Sequence, residues 1–178
     1  MIENCPFCGL NLRKDCNCPE RKMRSNMIDS SIFLEVYGES KHTEQCKLLL
    51  EGAKKSVYLG NVSTIILGEI TKKLLKFKKE ADYRYNSIYN NIMDYLLYFN
   101  VFYICEDTIQ THKILDIRGS EQSHDKLNFA CAIHNKCKMF IMKDLGFKYP
   151  KKSGTQIIQI TDKSNKKLRK LLEEIKSG

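Results

Sequence analysis

From Met23 to the C-terminus, short apolar and β-branched runs alternate with stretches whose apolar residues recur every three to four positions. Strand-like runs fall at Met27-Ile28, Val57-Tyr58-Leu59, 101–104, 139–142 and 156–160. Helical spacing predicts helices over 32–38, 43–53, 62–77, 81–99, 107–117 and 123–135, with a basic helix over 165–175. Strand and helix in alternation imply a mainly parallel central sheet with helices on both faces, a three-layer α/β/α domain. In such sheets ligands bind at the carboxyl ends of the strands.

The first 22 residues do not share this pattern. They hold two prolines, no hydrophobic periodicity and four cysteines spaced Cys5-x2-Cys8-x7-Cys16-x-Cys18. Four thiolates in a tetrahedral array suit Zn²⁺, and a segment this poor in apolar residues would draw its folding free energy from the metal. The expectation is a zinc-ribbon-like module over 1–22 with a closed, structural zinc site. Cys46, Cys105, Cys131 and Cys137 lie in apolar stretches and read as small core residues. Cys131, His134 and Cys137, three apart, read as helix packing rather than a second metal site.

Thirty Lys and Arg against twenty-one Asp and Glu leave a net charge of +9. Such an excess attracts polyanions. It concentrates in the run Lys72, Lys73, Lys76, Lys78 and Lys79, and in 148–178, where nine basic residues face three acidic ones. Lys72, Lys73, Lys76, Lys166, Lys167, Arg169 and Lys170 are therefore the candidate nucleic-acid-binding residues, RNA being only weakly favoured because charge does not tell it from DNA, and a solvated helix face is the plainer reading of each run. No stretch approaches the roughly 20 apolar residues of a membrane helix, and the N-terminus lacks the pattern of a secretory signal. A cytoplasmic protein is expected.

Four carboxylates stand where an α/β sheet would gather them. Asp29 and Asp144 each follow a strand, Glu69 sits beside the buried stripe of its helix with Gly68 allowing close packing, and Asp125 occupies the first turn of a helix capped by Ser123. Singly, each is a cap or a rim residue. Jointly, with no evident basic partner, they would repel one another unless a hard divalent cation neutralised them, and Mg²⁺ or Mn²⁺ favours such oxygen ligands. Tyr83, Tyr85, Tyr89, Tyr95 and Tyr98 cover more than one face of a single helix, which fits helix packing or an oligomer interface such as a homodimer better than base stacking.

At these positions the sequence resembles the PIN-domain family of metal-dependent ribonucleases, in particular the small VapC-like type. The resemblance rests on Asn26-Met27-Ile28-Asp29-Ser30-Ser31-Ile32-Phe33-Leu34-Glu35, Val62-Ser63-Thr64-Ile65-Ile66-Leu67-Gly68-Glu69-Ile70, His124-Asp125-Lys126-Leu127-Asn128-Phe129-Ala130-Cys131-Ala132 and Met139-Phe140-Ile141-Met142-Lys143-Asp144, in that order. It covers 23–150 as the PIN-like domain. It leaves 1–22 as an added targeting arm and 151–178 as a strand and basic helix packed on or extending that domain. The resemblance implies an endoribonuclease whose acidic quartet Asp29, Glu69, Asp125 and Asp144 holds Mg²⁺ or Mn²⁺, with Ser31 orienting the first acid or a metal-bound water. It implies products with a 5′-phosphate and a 3′-hydroxyl, and either an antitoxin or an RNA-processing partner. Lys143 stands where the family often carries a threonine. The rival expectation is a non-catalytic PIN-fold module that binds RNA or protein.

Overall fold

The computed structural model describes residues 24–37, 40–79, 84–114, 123–143, 153–161 and 165–177. The cysteines at 5, 8, 16 and 18, the expected zinc module, Tyr83 and Asp144 lie outside the described residues. Among the described residues, five strands form one parallel sheet: β1 (Ser25–Ile28), β2 (Leu59–Ser63), β3 (Phe99–Phe102), β4 (Met139–Met142) and β5 (Gln156–Gln159), in the order β3-β2-β1-β4-β5. The helices are α1 (Ser30–Glu35), α2 (Thr43–Lys54), α3 (Thr64–Lys79), α4 (Tyr85–Leu96), α5 (Glu106–Ile114), α6 (Ser123–His134) and α7 (Lys166–Ser177). None is long and apolar enough to cross a membrane.

The central strands read as continuous apolar runs because both faces are covered. All four residues of β4 are buried, as are Met27 and Ile28 of β1. Chain order places β2 and β3 on one side of β1 and β4 and β5 on the other, so the order in which strands are added reverses between β1 and β4 while all strands stay parallel. A crevice outside the carboxyl ends of two such strands is where an open α/β sheet takes its ligand.

Several element boundaries differ from the sequence expectation, each for a packing reason. The 57–59 run is apolar because Tyr58 is buried and donates its hydroxyl to the Leu49 carbonyl at 2.5 Å; pairing begins only at Leu59. β3 starts at Phe99 rather than 101. The Phe99 ring occupies the space over Gly60, where an added Cβ would come within 2.6 Å of it, and meets Phe33 edge-on at 5.1 Å. The helix expected over 81–99 is accordingly shorter, Tyr85–Leu96. β5 extends the sheet beside β4, and α7 buries Leu168, Leu171 and Ile175 while packing on α2 at Gly52. An Arg24–Glu174 ion pair at 3.0 Å adds a surface tie.

Candidate functional site

Asp29 follows the last residue of β1 and is the N-cap of α1. Its backbone N–H donates to the Ile141 carbonyl at 2.9 Å, continuing the β1–β4 ladder by one step. Its side-chain Oδ1 accepts the Ser31 N–H at 2.9 Å and the Ser31 hydroxyl at 2.6 Å. The same hydroxyl accepts the Lys143 N–H at 3.0 Å. Ser31 thus joins the carboxyl ends of β1 and β4 and holds the Asp29 side chain in place. Both side-chain bonds from the described residues fall on Oδ1, leaving the second oxygen without a hydrogen bond among them.

Glu69 reaches the same place from α3. Its Oε2 accepts the Ser30 hydroxyl at 2.7 Å and its Oε1 lies 3.5 Å from His124 Nδ1. His124 is thus the imidazole neighbour of Glu69 in the cleft, which the expectation of acids without an evident basic partner leaves out. Gly68 also departs from its expected role. An added Cβ there would meet nothing within 4 Å, so this glycine opens the cleft rather than letting helices approach.

Asp125 comes from the first turn of α6, and Ser63 relates that helix to α3. Ser63 sits at the end of β2, where its hydroxyl oxygen accepts the Ile66 N–H at 3.1 Å in the manner of an N-cap. The same hydroxyl donates to Asn128 Oδ1 at 2.5 Å, one turn along α6 from Asp125. One buried serine therefore sets the start of the helix that carries Glu69 and holds the helix that carries Asp125.

The three carboxylates line one cleft of about 1060 Å³, and Lys72, Lys73, Lys76 and Lys79 of α3 line it with them. Burial raises the Asp29 carboxyl to about 6; the Ser31 bonds oppose that rise, and the charges of Glu69 and Asp125 add to it. Burial and the Glu69 charge also raise Asp125, against the pull of His124. The acids therefore act on one another, yet their oxygens do not all draw within 4.8 Å, a separation that among the described residues only Cys105, Asp107 and His134 reach. Lys166, Lys167, Arg169 and Lys170 belong to α7, packed on α2, and do not line the cleft.

Of the residues singled out in the sequence, Asp29, Ser31, Glu69, Asp125, Lys72, Lys73 and Lys76 meet in this cleft. Ser30 and His124 line it as well, as does Lys79 of the basic run, while Ser63 and Asn128 are buried and are not part of its lining. Cys46, Cys131 and Cys137 are buried as expected of core thiols, whereas Cys105 is exposed, so its reading as a core residue is corrected.

The molecule is thus a parallel α/β domain with a cleft of carboxylates and lysines at its carboxyl edge. Its fold is that of VapC-type PIN domains. A chain in the crystal structure of VapBC2 from Rickettsia felis bound to a DNA fragment from their promoter superposes with a TM-score of 0.55 at 16% identity, covering 75% of this chain and 97% of that one. Mycobacterium tuberculosis VapC20, described as a sarcin-ricin loop cleaving toxin, matches at 15% identity and a TM-score of 0.46, covering 65% of this chain and 87% of its own. No family model and no curated protein matches the sequence.

Proposed function

We propose that this protein is a VapC-like, metal-dependent endoribonuclease. The observation that carries the reading is the convergence of Asp29, Glu69 and Asp125 from three separate elements into one cleft flanked by four lysines of a single helix. Carboxylates that repel one another in a partly buried site are stabilised by a cation, and lysines beside them attract the polyanion that would be cut.

Asp29, Glu69 and Asp125, with Asp144 as the fourth acid that the family resemblance implies, would hold Mg²⁺ or Mn²⁺. When bound, such an ion lowers the pKa of a coordinated water and offsets charge on the scissile phosphate. The chain's own residues do the rest. Ser31 and Ser30 hold Asp29 and Glu69 in fixed rotamers. Lys72, Lys73, Lys76 and Lys79 engage the phosphates flanking the cut without reading sequence. A carboxylate of the cleft would orient the attacking water and accept its proton as the water oxygen bonds to phosphorus and the P–O3′ bond breaks, the leaving 3′-oxygen taking a proton from solvent. The N-terminal cysteines would bind a structural Zn²⁺, and a small antitoxin or an RNA-processing protein would be the partner of a cytoplasmic enzyme.

The test is cleavage of RNA by the full chain with Mn²⁺ or Mg²⁺. The expected result is cleavage that chelator abolishes and that Asp29→Asn reduces at least a hundredfold. Tight, salt-sensitive RNA binding with no turnover in either metal would instead identify a non-catalytic module.

A further inference from the structure

Cys105, Asp107 and His134 form a second cluster of metal-ligating side chains, away from the acidic cleft. Cys105 immediately precedes α5, Asp107 lies in the first turn of α5, and His134 is the last residue of α6. The Cys105 Sγ and His134 Nε2 are 3.9 Å apart, and one ligand atom from each of the three residues falls within 4.8 Å of the others. In tetrahedral Zn²⁺ coordination the corresponding sulfur–nitrogen edge is about 3.6 Å, so that edge asks for a movement of a few tenths of an ångström, and the Asp107 carboxylate closes in by rotation of its exposed side chain. His134 stands nine residues after Asp125 on α6, about 13 Å along the helix, so one ion cannot serve both places.

We propose that Cys105 Sγ, the Asp107 carboxylate and His134 Nε2 bind a thiophilic divalent cation, Zn²⁺ by preference, as a clip between the start of α5 and the end of α6. A thiolate and an imidazole select Zn²⁺ over Mg²⁺. Three protein ligands at an exposed position leave the fourth coordination site to water. The buried Thr108, whose hydroxyl lies 3.4 Å from the Cys105 sulfur, supplies the kind of outer hydrogen bond that orients a ligand. Electrostatics favour the arrangement: the α5 N-terminus stabilises a thiolate and the α6 C-terminus a cation. The clip does not depend on the nuclease reading, since it shares no residue with the cleft.

The experiment is alkylation of the full chain with iodoacetamide, mapped by mass spectrometry at Cys105, in the absence and presence of Zn²⁺. Reading one thiol separates this site from the N-terminal cysteines. The proposal expects Zn²⁺ to slow Cys105 alkylation at least tenfold, millimolar Mg²⁺ to have no effect, and both His134→Asn and Asp107→Asn to remove most of the protection. These side chains are not buried in the core, and circular dichroism checks that the variants remain folded. Alkylation at an unchanged rate with Zn²⁺ would overturn the site. Protection that survives both substitutions would also overturn it, because a solitary thiol would then be the whole of the binding.

Discussion

Ser30 donates its hydroxyl to Glu69 Oε2 at 2.7 Å, joining residues 39 positions apart across the mouth of the cleft. A hydrogen bond to a charged carboxylate contributes about 1.5 kcal/mol or more, and its loss frees Glu69 to follow His124 on its other oxygen. Ser30→Ala should lower metal-dependent RNA cleavage about tenfold with the fold intact, and Ser30→Thr should restore most of it. Steady-state kinetics with circular dichroism as the folding control checks this.

Asp29 carries a cost in the metal-free protein. Its folded pKa of about 6 stands above the ordinary 3.8, so the folded state holds its proton more tightly than the unfolded state between those values. Stability therefore falls as pH rises from about 4 to 6 and levels off above, a loss on the order of 3 kcal/mol. Asparagine can accept the same Ser31 bonds without a charge. Asp29→Asn should stabilise the chelator-treated protein by a few kcal/mol at pH 8 and by almost nothing below pH 4. Urea unfolding across that range reads the difference.

Glu35 behaves in the opposite sense. Burial pushes its carboxyl up, but bonds from Lys143 Nζ at 2.7 Å and from Ser40, with the Lys143 charge, outweigh burial and lower it. Its stabilising contribution is present above the ordinary value of 4.5 and is lost as pH falls through the lower folded value. Glu35→Gln should cost about 2 kcal/mol at pH 7, since the pair is largely buried, and progressively less in acid. Lys143 also donates its N–H to Ser31, so cleavage should fall with stability in this variant, as parallel unfolding and activity measurements would report.

The placement of Asp29, Glu69 and Asp125 was legible because each has a local signal, a strand end for Asp29, a helical stripe for Glu69 and a first turn for Asp125, while Asp144 lies outside the described residues. Of the residues that hold these acids, Ser31 was named through the family resemblance; Ser30 and the Ser63–Asn128 pair were not legible, because Ser30–Glu69 and Ser63–Asn128, like the Ser31–Lys143 tie, are long-range contacts that no periodicity marks. β3 was misplaced because it is an edge strand whose Val101 is exposed, so its buried and exposed positions do not follow apolar character. Cys105 looked like a core thiol because its neighbours are apolar, yet it lies on the connection leading into α5, where sequence polarity says little about exposure.

The two basic runs should separate in solution. Lys72, Lys76 and Lys79 line the cleft on one helix, whereas the α7 cations are exposed on a helix packed against α2 and do not line it. Lys72→Gln/Lys76→Gln/Lys79→Gln should reduce the slope of log affinity for single-stranded RNA against log salt by about 2. The corresponding triple change at Lys166, Lys167 and Lys170 should shift it by less than about 1. Fluorescence anisotropy titrations from low to moderate salt distinguish the two.

The most direct measurement is the anomalous diffraction of Mn²⁺ in crystals of the full chain. The account predicts a peak in the cleft within coordination distance of Asp29 and at least one of Glu69 and Asp125, absent from Asp29→Asn crystals. A well-ordered cleft that stays empty at millimolar Mn²⁺, or a peak that persists unchanged without the Asp29 carboxylate, would contradict it.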